Sequence, residues 1–368
     1  MRGNMIKQIK SCFANEAVNF GRQRELDIAK GISIVFMIFC HSYEMLAQLL
    51  DPAASTDLSY MILDVILGGS LAAPVFVFCM GISFAYSRNS GAGNMVRRAV
   101  RMIGIAVLLE IFYIAIPGAI EWLITKDPEC IEYAYMLLCA DILQFSALSM
   151  LVIALFKKLK LKPAVMVIIS VICSIVGQLL QYVSTGSYFG DVAVGFLWHS
   201  YDYSYFPLLN WLIFPVCGYA FSSAWQRLEN KDKFFRVLTP ISWVITVVYF
   251  VSMVFLGEYY LSGGDYYGMG ILDAAIALVI CCAMIGLGYY LKKLGGRIGG
   301  WLESMGSRVT SIYCIHWVCY CTLYLILLCV LEDYLSQLML LPASVLVLIV
   351  SDVLSRIYVN FKRKNKKN

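Results

Sequence analysis

Apolar runs close to 20 residues long recur along the chain, and few charges interrupt them. As a helix, a run of that length crosses a hydrocarbon core of about 30 Å with its backbone polar groups satisfied internally. The recurrence predicts an all-α, polytopic integral membrane protein. About ten transmembrane helices are expected, near residues 28–50, 59–87, 99–124, 132–156, 163–183, 205–225, 236–257, 269–291, 308–331 and 335–358. The third carries Pro117 and Gly118, so it is expected to kink or end early. Composition agrees: 14% charged and 60% apolar residues depart far from the roughly 25% charged of a soluble domain. That excludes a soluble globular enzyme, a disordered chain and a nucleic-acid binder. An outer-membrane barrel is not expected, because its strands would alternate in apolarity over about ten residues.

The 13 cysteines do not read as a disulfide scaffold. All but Cys12 and Cys130 fall in the apolar runs, where cysteine behaves as a small hydrophobe. No CxxC pair is present, which removes zinc-ribbon and thioredoxin readings. Residues 1–26 are polar, so no cleavable signal peptide is expected.

Charge alternates from one connecting segment to the next. Lys7, Lys10, Arg22 and Arg24 precede the first span, and Asp51 and Asp57 follow it. Arg88, Arg97, Arg98 and Arg101 come next, then the mostly acidic stretch near 126–132. Lys157, Lys158, Lys160 and Lys162 are followed by a 184–204 loop holding Asp191 and Asp202 without Lys or Arg. Arg227, Lys231, Lys233 and Arg236 precede Glu258 and Asp265; Lys292, Lys293 and Arg297 precede Glu332 and Asp333. By the positive-inside rule both termini are expected in the cytoplasm. Residues 1–368 then form one transmembrane domain, with a cytoplasmic lead over 1–27 and a basic tail over 359–368 that suits anionic lipid.

Ionisable groups inside spans are costly and mark candidate sites. They are Lys30, His41, Glu44, Asp64, Glu110, Asp141, Asp273, His316 and Asp352. His41, Glu110, Asp141 and His316 are expected nearest the midplane. Lys30 and His41 are eleven residues apart, about three helical turns and roughly 16 Å along one face. Neutral imidazole is a competent general base, and a cation at the cytosolic mouth suits the phosphates of an anionic cosubstrate. A helix–helix hydrogen bond for His41 and a snorkelling Lys30 fit the same residues. Glu44 and Asp141 are the candidate partners for the second nitrogen of His41. His316 reads either as a second polar wall of that cavity or as a packing histidine. His199 lies in an aromatic loop suited to sugar stacking or to an interfacial belt. The run Gly295–Gly300, with Arg297, reads as a phosphate cradle or as a flexible loop. No metal site is expected; among these groups only His41 and Glu44 have helical spacing.

Two resemblances arise at these residues. Span 1, with Arg24, Lys30 and His41, resembles the opening of the acyltransferase-3 membrane family, whose pattern is Arg, ten residues, His. Lys30 replaces that Arg, keeping the charge and losing the bidentate fork. The segments Ala73–Ser83, Asp141–Gln144, Tyr205–Trp211 with Gly218, and Gly306–His316 resemble motifs of the heparan-α-glucosaminide N-acetyltransferase catalytic domain, in order and across nearly the whole chain. Ser70 stands closest to that family's second-span acid, so the acid's role does not carry over.

The resemblance implies transfer of an acyl group, usually acetyl, from cytosolic acetyl-CoA or another acyl-CoA. The acceptor is a hydroxyl or amine presented from outside, on a glycan or small molecule. It implies His41, Asp141 and His316 as catalytic residues. Lys30, Arg88, Arg97, Arg98 and Arg297 are then the cosubstrate-binding set. A multi-pass location in the cell membrane is expected, with the lipid bilayer, acyl-CoA and the acceptor as partners and no nucleic acid; a homo-oligomer is compatible. The alternative reading is a transporter or flippase in which Lys30, Glu110 and Asp141 form a relay, although no repeat relates the two halves of the sequence.

Overall fold

The computed structural model describes residues 9–50, 60–87, 91–127, 139–202, 204–256, 266–331 and 334–365, without the side chains of Tyr60, Met61 and Asp64. Arg88, Lys7, Asp51, Asp57, Cys130, Glu258, Asp265, Glu332, Asp333 and the Asp64 carboxyl therefore lie outside the described residues.

The described residues are helical and contain no strand. The helices are α1 (Arg24–Leu46), α2 (Ala73–Tyr86), α3 (Ala92–Glu110), α4 (Ile116–Thr125), α5 (Ile142–Lys158), α6 (Pro163–Leu179), α7 (Tyr188–Gly195), α8 (Leu208–Trp211), α9 (Ile213–Gln226), α10 (Lys231–Leu256), α11 (Ile271–Leu294), α12 (Gly296–Gly306), α13 (Val309–Val330) and α14 (Leu340–Asn365). A wide-turned segment, Tyr60–Ser70, leads into α2. Eight helical stretches among the described residues are long and apolar enough to cross a membrane. The expected spans near 132–156 and 163–183 overlap α5 and α6, helices of 17 residues each. That is about 25 Å, at the lower limit of a spanning helix.

Local chemistry sets several boundaries. Asp141 caps α5, its carboxylate accepting from the Ile142 amide at 2.6 Å. Pro163 opens α6, where its missing N–H costs nothing. Gly295 and Gly296 take φ of 70° and 90°, which ends α11 and turns the chain into α12. The expected flexible loop at Gly295–Gly300 is thus a turn followed by a helix.

Pro117 neither ends nor breaks its helix. A π-type turn, Ile111–Ala115, joins α3 to α4 in one helical stretch, Ala92–Thr125. Proline offers no N–H to the carbonyl four residues back, here that of Tyr113. The Cys321 thiol donates to that carbonyl instead, at 3.2 Å.

The chain divides into two compact units. Unit 1 comprises 1–24, 74–106 and 138–290. Its core includes Phe84, Met95, Met150, Phe156 and Leu212. Unit 2 comprises 25–73, 107–137 and 291–368. Its helices α1, α12, α13 and α14 converge through small residues and a buried polar lock. A side chain on Gly31 would meet the Leu302 backbone, and one on Gly306 would meet that of Asp27, so α12 lies directly on the start of α1. At the head of α13, Arg308 donates to Asp352 Oδ1 at 2.6 Å and also to Ser355 Oγ and the Ser304 carbonyl. Trp301 donates to the same Asp352 at 3.0 Å. One carboxylate thus ties α12, α13 and α14 together.

Candidate active site

His41 occupies the fifth turn of α1, with its side chain 14% exposed. Its Nδ1 lies 2.5 Å from Glu44 Oε2, one turn along the helix. With Glu44 as a carboxylate, which only accepts, the tautomer that satisfies this contact carries its proton on Nδ1. The Nε2 lone pair is then left free, with no partner among the described residues. This is a histidine oriented by a carboxylate, the arrangement a general base requires. The Cys40 thiol donates to the other Glu44 oxygen at 3.5 Å.

Aromatic rings from α13 and the π turn enclose the imidazole. The Trp317 indole lies 4.2 Å from His41 between centroids, and the His316 imidazole stacks on it at 5.2 Å. Tyr113 packs against Trp317 at 4.9 Å. Tyr313 and Tyr320 meet His316 edge-on. Tyr320 also donates its hydroxyl to the Ile38 carbonyl at 2.6 Å, which fixes α13 against α1. His316 is fully buried. Its Nδ1–H donates to the Ile312 carbonyl at 3.2 Å, and its Nε2 has no partner among the described residues. Past the end of α1, the Tyr324 hydroxyl donates to Glu121 on α4 at 2.7 Å and lies 3.4 Å from the Gln48 side-chain oxygen. The site therefore carries two imidazole lone pairs in an apolar, aromatic wall, with a polar patch beyond it.

Of the expected catalytic residues, His41 and His316 come together. Asp141 belongs to unit 1 and caps α5. Glu110 is buried at the end of α3. Asp273 is held in unit 1 by the Tyr249 hydroxyl at 2.8 Å. His199 is buried and bonded to the Ser204 carbonyl at 2.8 Å, a contact within its loop. In the same loop Ser184 and Thr185 donate to Asp191 and hold its carboxyl below the usual range.

The expected cosubstrate cations are distributed unevenly. Lys30 is paired with Asp27 at 2.8 Å, so one of its three N–H donors is spent locally. Lys292 is paired with the buried Glu25 at 2.9 Å. Arg297 is exposed in the first turn of α12. Arg97 and Arg98 lie in unit 1, where Arg98 covers the Phe84 ring and reaches Ser87.

Sequence reasoning missed three features. Trp317 gave no signal, being one aromatic in an apolar run. Arg308 was read only as part of a motif, although an Arg followed by seven apolar or hydroxyl residues calls for a buried anion. Cys40, His41 and Glu44 place ligand-type atoms within 4.8 Å of one another, a grouping that can hold a metal ion and that was not expected. The hydrogen bonds to both Glu44 oxygens account for this grouping without an ion.

No curated protein and no solved structure matches the chain. The family model for the heparan-α-glucosaminide N-acetyltransferase catalytic domain matches residues 22–262, about two thirds of the chain. The matched segment contains Lys30, His41 and Glu44 and ends before α11. It supports the second of the two resemblances and not the acyltransferase-3 family. The chain belongs to the heparan-α-glucosaminide N-acetyltransferase catalytic-domain family.

Proposed function

We propose that the protein is a membrane acetyltransferase that passes the acetyl group of cytosolic acetyl-CoA to a hydroxyl or amine of a sugar or small molecule across the bilayer. The observation that carries this reading is the His41–Glu44 pair, a carboxylate-oriented imidazole with a free Nε2. His41 Nε2 takes the proton of the attacking hydroxyl or amine. Glu44 holds the tautomer and favours the imidazolium that forms. His316 supplies a second lone pair beside it. Lys30, with two N–H groups beyond its Asp27 contact, and the exposed Arg297 meet the CoA phosphates.

The topology that suits this chemistry has ten spans, α5 and α6 included, and both termini in the cytoplasm. The charge alternation supports it. The acceptor to try first is glucosamine, the sugar in the family's name.

The reading is tested on the purified protein by thermal shift with acetyl-CoA, free CoA and ATP, followed by [14C]acetyl transfer to glucosamine in proteoliposomes. Acetyl-CoA and CoA should stabilise the protein and ATP should not. Lys30→Ala should weaken CoA binding with little effect on kcat. Equal response to ATP, or no response to acetyl-CoA, contradicts the donor assignment.

A further inference from the structure

We propose that the Trp317 indole N–H is a catalytic hydrogen-bond donor to the thioester carbonyl oxygen during acyl transfer; this rests on the reading of His41 as the base. Trp317 is 8% exposed, and its Nε1 is buried with no partner among the described residues. A buried donor left unpaired in a native fold is uncommon and calls for a reason. One turn away, Tyr320 shows the ordinary solution: its buried hydroxyl is given to the Ile38 carbonyl. Trp317 makes no such bond, although its ring is the one packed closest to the His41 imidazole, at 4.2 Å.

The hydrogen-bond characters of the orphan atoms divide the substrates between them. An indole N–H donates and cannot accept, so its complement is a group that only accepts. The thioester carbonyl is such a group, and its oxygen gains negative charge as the nucleophile attacks. The His41 and His316 Nε2 atoms are lone pairs, so their complement is the O–H or N–H of the acceptor. In the step itself the acceptor's proton passes to His41 Nε2 as its oxygen or nitrogen bonds to the acetyl carbon. The carbonyl π pair moves onto oxygen and is held by Trp317 N–H. The pair then returns, the C–S bond breaks, and the CoA thiolate takes the proton from His41.

A fixed donor aimed at developing charge acts without reorganisation at the moment of reaction. Tyr113 and Tyr313, packed on the same indole, hold its plane.

The test is isotope-edited infrared difference spectroscopy of acetyl-CoA carrying 13C at the carbonyl, bound to the full chain in detergent. The wild type should lower the carbonyl stretch relative to a thioester in an aprotic solvent, where no donor is present. Trp317→Phe should lose that downshift with acetyl-CoA affinity unchanged, and kcat should fall by about 10²–10³-fold. If the phenylalanine variant fails to fold, 3-benzothienylalanine at position 317 keeps the ring and volume and removes only the N–H. An unchanged downshift in either folded variant overturns this inference and leaves the His41 reading standing. A wild type that binds no acetyl-CoA removes the acyl-CoA reading itself, and the inference falls with it.

Discussion

At the scale of single residues, the site depends on which atom of a ring is committed. Glu44 commits His41 Nδ1, and that choice frees Nε2 for chemistry. Glu44→Gln keeps an oxygen that can accept from Nδ1–H but removes the charge that favours the imidazolium. Hydrogen bonds to charged groups exceed neutral ones by about 1–1.5 kcal/mol, so kcat should fall roughly tenfold. A steady-state assay showing kcat unchanged would mean that Glu44 only packs against the ring. His41 and Glu44 were legible in the sequence because charge-bearing groups stand out in an apolar run. Trp317 was not, because nothing in a sequence distinguishes a packing indole from one whose N–H lacks a partner. Asp141 is the cap of α5, a role that hydropathy, which located an apolar run over 132–156, could not assign.

At the scale of elements, the position of α13 decides where His316 and Trp317 stand. Its first turn is anchored by Arg308, 7% exposed, on Asp352, 13% exposed. Removing one partner of a buried pair costs about 3–5 kcal/mol; Arg308→Ala should fall at about 3, because Arg356 still faces Asp352 at 3.0 Å. Thermal melting in detergent measures this, and an unchanged midpoint would show that the lock contributes nothing. The sequence placed Asp352 among the costly intramembrane charges but left its partner unnamed, since the 44 residues separating it from Arg308 carry no periodic signal. Pro117 teaches the opposite lesson. It was expected to kink or end its helix; the helical stretch continues through it after a π turn, and the Cys321 thiol takes the carbonyl that lost its donor. A sequence reveals the missing donor and not the neighbour that compensates for it.

At the scale of the whole molecule, hydropathy carried the architecture because hydrocarbon permits so few backbone solutions. Eight long apolar helices are present where runs of that length were expected. The two short ones, α5 and α6, make topology the natural prediction at this scale. Single cysteines introduced into the 184–202 loop of a cysteine-depleted variant should react with an impermeant maleimide added outside intact cells. Those in the 226–231 turn should react only after permeabilisation. The reverse pattern would contradict ten spans with both termini inside. The most direct test of the account as a whole returns to one atom. In proteoliposomes with [14C]acetyl-CoA and an acceptor that the wild type uses, His41→Gln keeps a hydrogen-bonding amide but cannot take the acceptor's proton. Its kcat should fall by about 10²–10⁴-fold with acetyl-CoA affinity intact, and a His41→Gln protein as active as the wild type would contradict the assignment of His41 as the base.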